Sequence, residues 1–253
     1  EAVVAESLTA IILAAGEGTR MNSKLPTVLH PLGGQPMIDY ALQNAEALKP
    51  QKIYVVVGAH AEEVIGYIDD RALPVVQKQR LGTGHAVQQV MPFLKKAGGN
   101  VVILYGDAPL TQPRTVQALR QFHQVHGGDA TLLSARVTDP FGYGRIVRHE
   151  DGTVNSIVEH KDASEEELAI NEINAGLYIF KTAKLIEALG KLKANNAKKE
   201  YYLTDTIHYL IHQGGKVHAL MVPDATEVLG VNDREQLAEA HRLLNLRRIE
   251  EHQ

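Results

Sequence analysis

Short apolar runs alternate with amphipathic stretches through the first half of the chain. Ala10 to Ala15 is apolar throughout and ends at glycines, which predicts a strand buried on both faces followed by a loop. Met37 to Leu48 carries apolar residues at helical spacing. Ile53 to Val57 is rich in β-branched residues and reads as a second strand. The same pattern continues with a helix over Ala61 to Ile68, a short strand over Leu73 to Val76 and a helix over His85 to Lys96. Val101 to Tyr105 is the most apolar strand, followed by a helix over Thr115 to Val125 and a strand over Ala130 to Val137. Such alternation predicts an α/β fold: a doubly wound, mostly parallel twisted sheet of Rossmann-like type, with helices on both faces and right-handed crossovers. Ligands of such sheets bind beyond the carboxyl ends of the strands, so the loops after Ala15, Val76 and Tyr105 are the places to search.

After Val137 the pattern changes. Arg145 to His149 and Val154 to His160 predict two strands joined by the Asp151-Gly152 turn. A charged stretch, Lys161 to Glu167, follows. A strand (Gly176 to Phe180), a helix (Ala183 to Leu192), a helix from Thr204, a strand (Val217 to Val222) and a helix (Arg234 to Glu250) complete the chain. Without a clean linker or an internal repeat, the simplest organisation is one domain with an appended substrate-binding lobe.

Composition narrows the functional classes. The 253 residues carry a net charge of −4 and no long basic run, so neither a nucleic acid nor an anionic membrane is an expected partner. With no cysteine there are no disulfides or thiolate metal sites, which suits a cytoplasmic setting. No apolar run approaches the roughly 20 residues of a membrane span. Glu1 to Ser7 lacks a basic stretch followed by an apolar one and is not expected to be a signal peptide. The 12 histidines are scattered. His208 and His212, four apart on one helix, have no evident third ligand; with His218 they read as surface or packing residues.

The first loop, Ala14-Ala-Gly-Glu-Gly-Thr-Arg20, has glycines that admit backbone N–H groups close to a ligand, and a guanidinium suited to phosphate oxygens. It is not the dinucleotide fingerprint, because Met21 stands where a third small residue is required, and it lacks the Gly-Lys-Ser/Thr of a Walker loop. The longer string Leu13-Ala-Ala-Gly-Glu-Gly-Thr-Arg-Met21, followed by Leu25-Pro-Thr-Val-Leu-His30, resembles the signature of sugar nucleotidylyltransferases. Within them it is most similar to the uridylyltransferase domain of the bifunctional N-acetylglucosamine-1-phosphate uridyltransferases. The resemblance runs on through Gln77, Leu81 to Ala86, Tyr105 to Leu110, Gly142 to Arg145, Ile157 to Ala163, Glu172 to Asn174, Glu200 to Asp205 and Glu227 to Asn232.

That resemblance implies transfer of a uridylyl group from UTP to N-acetylglucosamine-1-phosphate, giving UDP-N-acetylglucosamine and pyrophosphate for cell-wall precursor synthesis. By it, Leu13, Ala14, Ala15, Gly16, Gly18, Thr19 and Arg20 hold the nucleotide and its phosphates. Gln77 pairs with the uracil edge, Gly82 brings backbone to the base, and Thr83 lines the nucleotide-sugar site. Asp107 and Asn232 hold Mg²⁺, while Tyr105, Gly106, Gly144, Glu159 and Asn174 grip the sugar portion. Residues 1–233 form the nucleotidylyltransferase domain, and 234–253 a helix that leads in the family to a β-helix domain. The full-length proteins of the family are expected to form homo-oligomers.

Two departures stand out. The family reads Leu-Pro-Lys where this chain has Leu25-Pro26-Thr27, so a fixed cation at the phosphates is replaced by a neutral side chain; Thr27 still occupies the catalytic and nucleotide-binding position. Lys24 is three residues away and is the nearest substitute. Loss of the lysine admits a second reading, a catalytically weakened nucleotide-sugar binding protein. The enzymatic runner-up is a glucose-1-phosphate uridylyl- or thymidylyltransferase, against which the Glu159 and Asn174 strings argue. The second departure is that no hexapeptide repeats occur, so acetyl transfer is not expected from these residues.

Overall fold

The computed structural model describes residues 6–252. Most of the opening stretch read for a signal peptide, and Gln253 at the end of the segment 234–253 expected to be helical, lie outside the described residues. In chain order the first half comprises β1 (Leu8–Ala14), β2 (Pro31–Leu32), β3 (Gln35–Pro36), α1 (Met37–Ala47), β4 (Lys52–Gly58), α2 (Glu62–Ile68), β5 (Leu73–Gln77), α3 (Thr83–Gln88), α4 (Met91–Leu94), β6 (Asn100–Tyr105) and α5 (Pro113–His126). The second comprises β7 (Ala130–Arg136), β8 (Arg145–Arg148), β9 (Val154–Val158), α6 (Glu165–Leu168), β10 (Glu172–Lys181), α7 (Thr182–Leu189), α8 (Thr204–His212), β11 (Val217–Met221) and α9 (Arg234–Glu251).

The main sheet runs β11-β7-β10-β6-β1-β4-β5. Every residue of β1 is buried, because alternate side chains enter different cores. Ile11 and Leu13 join a cluster with Val87 of α3, Leu185 of α7 and Ile207 of α8. Ala10, Ile12 and Ala14 join another with Leu42 of α1, Val64 of α2 and Leu119 of α5. The sheet is therefore doubly wound, as the apolar runs predict.

Three local expectations change. Strand β10 runs antiparallel to both β6 and β7, while the β1–β4, β1–β6, β4–β5 and β7–β11 pairs are parallel. It follows the β8–β9 hairpin, so the chain re-enters the sheet without the helical crossover that a parallel strand requires. The helix expected over His85 to Lys96 is two shorter ones, α3 and α4, with Pro92 in the first turn of the second. Its ring and missing N–H oppose a continuous helix. Finally, β10 begins at Glu172, not Gly176, and shifts register between Asn174 and Tyr178, with Gly176 at φ +77° inside the irregularity. Glycine in a strand interior marks such a bulge. The Asp151-Gly152 connection joins an antiparallel pair as expected.

Helix α9 lies on the body through Ala240 and Leu244, which pack with Leu32, Met37, Leu110 and Val231. Among the described residues no helix is long and apolar enough to cross a membrane.

A buried histidine gives the fold a pH dependence. His123 of α5 is 3% exposed; its Nδ1 lies 2.9 Å from Thr131 Oγ1 and its Nε2 3.3 Å from Asn100 Oδ1. Desolvation pushes its pKa down from 6.5 to about 4. The folded state thus favours the neutral ring. This contribution is complete above pH 6.5 and is lost as pH falls toward 4, an expected loss of roughly 3 kcal/mol. Chemical denaturation at pH 7 and pH 4.5 should show a smaller acid loss in His123→Gln than in the parent chain; equal losses would reject this account.

Candidate active site

The order of the sheet reverses at β1, which has β4 on one side and β6 on the other. The crevice at such a switch point is where doubly wound sheets bind ligands. Two loops meet there. The first leaves β1 at Ala15 and passes through Gly18, which sits at φ +63° and caps the short turn Thr19–Met21. The second leaves β6 at Gly106, whose N–H donates to the Leu13 carbonyl at 2.9 Å. A methyl group on Gly106 would stand 3.0 Å from Val28 Cγ1 and 3.3 Å from Leu13 O, so the close approach of the loops depends on glycine.

A cavity of about 300 Å³ opens between them, lined by Leu13, Ala15, Gly16, Gln77, Arg80, Gly82, Thr83, Tyr105 and Asp107, together with Ala86 and Glu200. Gln77 is 3% exposed. Its Nε2 faces the Gly82 carbonyl at 3.2 Å and His85 Nδ1 at 2.9 Å. A carbonyl can only accept, so the amide nitrogen must face it and the amide cannot be flipped. Desolvation lowers the His85 pKa, which favours the neutral ring, whose Nδ1 can accept. The Gln77 oxygen remains as an acceptor at the cavity. Gly82 has φ +101°, and a side chain there would strike Tyr201 O at 2.5 Å; the Tyr201 N–H and carbonyl also bond to Leu81 O and Gly84 N. This explains why the 81–86 and 200–205 strings occur together. Thr83 also accepts the Leu203 N–H through Oγ1.

Asp107 is half-buried one step past Gly106. Burial pushes its pKa from 3.8 up to about 6, and its own backbone N–H provides the only opposing pull. Its carbonyl accepts the Val231 N–H at 2.7 Å, which brings the segment of Asn232 to the same loop. A carboxylate without a cationic partner among the described residues, beside a segment that carries an amide oxygen, is a donor set suited to a hard divalent ion completed by phosphate and water. Among the described residues no three His, Cys, Asp or Glu side chains cluster in a metal-binding arrangement. Glu227, buried behind this loop, accepts from the Gln112 N–H and Thr115 Oγ1 and so anchors the segment leading to Asn232.

Gly144, Glu159 and Asn174 converge although β8, β9 and β10 supply them separately. The Asn174 N–H donates to Gly144 O at 2.9 Å, and a methyl on Gly144 would stand 3.4 Å from Glu159 Oε1. Arg145 is buried and donates to the carbonyls of Ile170 and Tyr143, which fixes this turn. The Asn174 side chain spans the bulge, bonding to Tyr178 Oη and the Gly176 N–H. The Tyr105 hydroxyl points at the same bulge, 3.8 Å from where a Gly176 side chain would begin. Tyr105 thereby joins the Asp107 side of the crevice to the Asn174 side.

The phosphate end differs from expectation in detail. Arg20 and Thr19 are exposed on their turn, and Arg20 lines neither this cavity nor its neighbour. Thr27 is 4% exposed, and its hydroxyl lies 1.8 Å from where a Gly18 side chain would begin. That hydroxyl has no hydrogen-bond partner among the described residues. Behind Gly16 lies a second cavity, of about 440 Å³, whose lining includes Lys24, Lys78, Arg80 and His60. Arg80 borders both cavities and pairs with Glu17 at 3.1 Å. Arg80 and Lys78 carry no signal in the sequence, since single polar residues after a strand look like solvated loop, and His85, though inside the 81–86 string, gives no hint that it braces Gln77.

A glycine loop, a fixed amide and a carboxylate at the switch point of a doubly wound sheet mark an α/β protein with a polar ligand crevice. The chain belongs to the nucleotidyl transferase family, which it matches over residues 9–227. Its curated relatives include proteins described as bifunctional protein GlmU. That of Acetivibrio thermocellus is 47% identical over 247 residues, covering 98% of this chain and 54% of the relative. Those of Geobacillus thermodenitrificans and Enterococcus faecalis are 46% and 44% identical, covering 96% and 98% of this chain and 53% and 54% of the relatives. The chain thus spans about half the length of the relatives it matches.

Proposed function

We propose that this chain transfers a uridylyl group from UTP to N-acetylglucosamine-1-phosphate. A phosphate oxygen of the sugar phosphate attacks the α-phosphorus in line, the bond from that phosphorus to the bridging oxygen breaks, and pyrophosphate leaves. UDP-N-acetylglucosamine is the other product, a soluble precursor for cell-wall synthesis made in the cytoplasm. The observation that carries the reading is the fixed orientation of Gln77. Its free oxygen accepts, so it suits the N3–H of uracil and opposes cytosine, whose N3 is itself an acceptor. The glycine loop supplies backbone donors to the phosphates, and Arg80, Lys24 and Arg20 supply positive charge around it. Glu159 accepts from sugar hydroxyls, while the Gly144–Asn174 contact shapes the sugar pocket. A phosphate dianion is already a nucleophile, so no protein base is required; positioning and charge neutralisation carry the rate.

Asp107 and Asn232 are the residues that would hold Mg²⁺. When bound, the ion neutralises charge on the polyphosphate and orients the leaving group. The catalytic domain covers residues 1–233 in this reading, with 234–253 as the helix that leads in the family to a β-helix domain.

Pyrophosphate release should require UTP, N-acetylglucosamine-1-phosphate and Mg²⁺ together, and CTP should react at least about tenfold more slowly than UTP. A coupled pyrophosphate assay over a panel of nucleotides and sugar phosphates checks this. Equal rates with glucose-1-phosphate, or full activity in excess chelator, would sink the assignment.

A further inference from the structure

A larger cavity, of about 700 Å³, continues from Thr83 past Glu159 and is bordered by α8. On its wall the His208 ring meets two acceptors that belong to different elements. Nδ1 lies 3.3 Å from Asp205 Oδ1, and Nε2 lies 3.1 Å from the Ile157 carbonyl of β9. Neither a carboxylate nor a carbonyl can donate. A neutral imidazole has one N–H and satisfies only one of them, whereas imidazolium satisfies both.

The main-chain pairing of β9 is slender, although its Val154 and Ile157 are buried in the core that α8 shares. Among the described residues strand β9 pairs only with β8, and β8 meets β10 at one register pair, Arg145 with Ile173. Glu159 directly follows β9. We propose that His208, in its charged form, is a positioning residue for sugar recognition: it clamps β9 to α8 at Ile157 and so holds the Glu159 carboxylate against Gly144. The proposal rests on the sugar-phosphate reading given above.

The surroundings favour the charged ring. The Asp205 hydrogen bond raises the His208 pKa above 6.5 and outweighs desolvation, with smaller help from the Ile157 carbonyl and the Asp205 and Glu159 charges. From its own helix the ring shares the cavity with Asp205 and Tyr209. The segment after β9 adds Glu159, Lys161 and Asp162. The stretch after α7 adds Lys191 and Lys193, and Tyr202 precedes α8. The clamp is therefore set below the His208 pKa and is released as pH rises through it. A neutral ring must then turn a lone pair toward either the carboxylate or the carbonyl.

The test is steady-state kinetics against pH, with the His208 titration followed by NMR. In the parent chain the KM for N-acetylglucosamine-1-phosphate should rise about three- to tenfold as pH passes the measured His208 pKa, while kcat and the KM for UTP stay within about twofold. His208→Ala should have the raised KM at every pH and no such step. Asp205→Asn should move the NMR pKa and the KM step together to lower pH. Titration of the substrate phosphate affects all three proteins alike and cancels in the comparison. Identical KM profiles for the parent chain and His208→Ala would overturn the proposal, as would a parallel fall of kcat and loss of UTP binding, the mark of a merely structural role. Absence of turnover with N-acetylglucosamine-1-phosphate in the parent chain would instead remove the reading on which the proposal stands, and the proposal with it.

Discussion

Asp107→Ala should lower turnover by at least about a thousandfold while the melting temperature of the metal-free protein stays level or rises. Loss of a metal ligand should exceed the ~10²–10³ that one oxyanion donor is worth. The stability expectation has a separate source. Burial moves the Asp107 pKa from 3.8 to about 6, so the carboxylate favours the folded state only while protonated. That contribution is lost as pH rises through about 6. At pH 7 the ionised group weighs against folding by roughly 2–3 kcal/mol, reduced where solvent screens it. Alanine removes this burden and keeps the backbone carbonyl that accepts from Val231. Initial rates with saturating substrates, and thermal melts in chelator and in Mg²⁺, check both halves. Unchanged turnover removes Asp107 from the metal site; a sharp fall in the chelator melt assigns the residue to the fold instead.

Thr27→Lys should raise turnover about ten- to a thousandfold and lower the melting temperature of the ligand-free protein. The Thr27 side chain points into the floor of the glycine loop at Gly18, with its hydroxyl unpaired. A lysine ammonium about 4 Å from a phosphate oxygen is worth roughly 4 kcal/mol of Coulomb energy at an effective dielectric near 20. Desolvation and side-chain ordering offset part of that. A net ~1.4–4 kcal/mol realised in the transition state gives the stated range in rate. Help given equally to both states would lower the KM for UTP and leave kcat level. Without nucleotide the same ammonium sits buried and unpaired, hence the lower melting point and a larger rescue by UTP. Lys24 lines the cavity behind Gly16 and is the competing source of charge. If it already serves, Thr27→Lys gains nothing and Lys24→Ala loses most activity. Kinetic constants for both variants decide the matter, and no gain from Thr27→Lys defeats the account of a missing cation.

The apolar runs of β1, β4 and β6 specify strands buried on both faces, and the fold class follows from them. The reversed direction of β10 was not legible, because an antiparallel central strand buried on both sides has the same apolar character as a parallel one. Gly176 marked a strand start in the sequence and proved to be a bulge inside a longer strand, for glycine serves both purposes. At the site, Asp107 was visible as a carboxylate at a strand end. Its link to the Asn232 segment is a backbone hydrogen bond, which leaves no trace in residue types. Gln77 was visible through family likeness alone; the reason its oxygen is free lies in the Gly82 carbonyl and His85. His208 looks like a surface or packing residue in the sequence, because its spacing to His212 suggests a metal pair and no third ligand is evident. Its two acceptors come from Asp205 and from the Ile157 main chain, a partner that no side-chain pattern can announce.

The bond from Val231 to Asp107 also has a consequence for biosynthesis. A ribosome releases the β1 and β6 loops early, and the crevice between them can close while much of the chain is still being made. The Asp107 loop nevertheless lacks its brace until Val231 and α9 have emerged, and Arg234, which holds the Met21 carbonyl at 2.8 Å, arrives with them. Val231 and Arg234 therefore complete both sides of the crevice at once, long after its two loops have been made. A chain interrupted before Val231 keeps the crevice between the β1 and β6 loops but leaves the Asp107 loop unanchored, so the two braces are gained together and not by degrees.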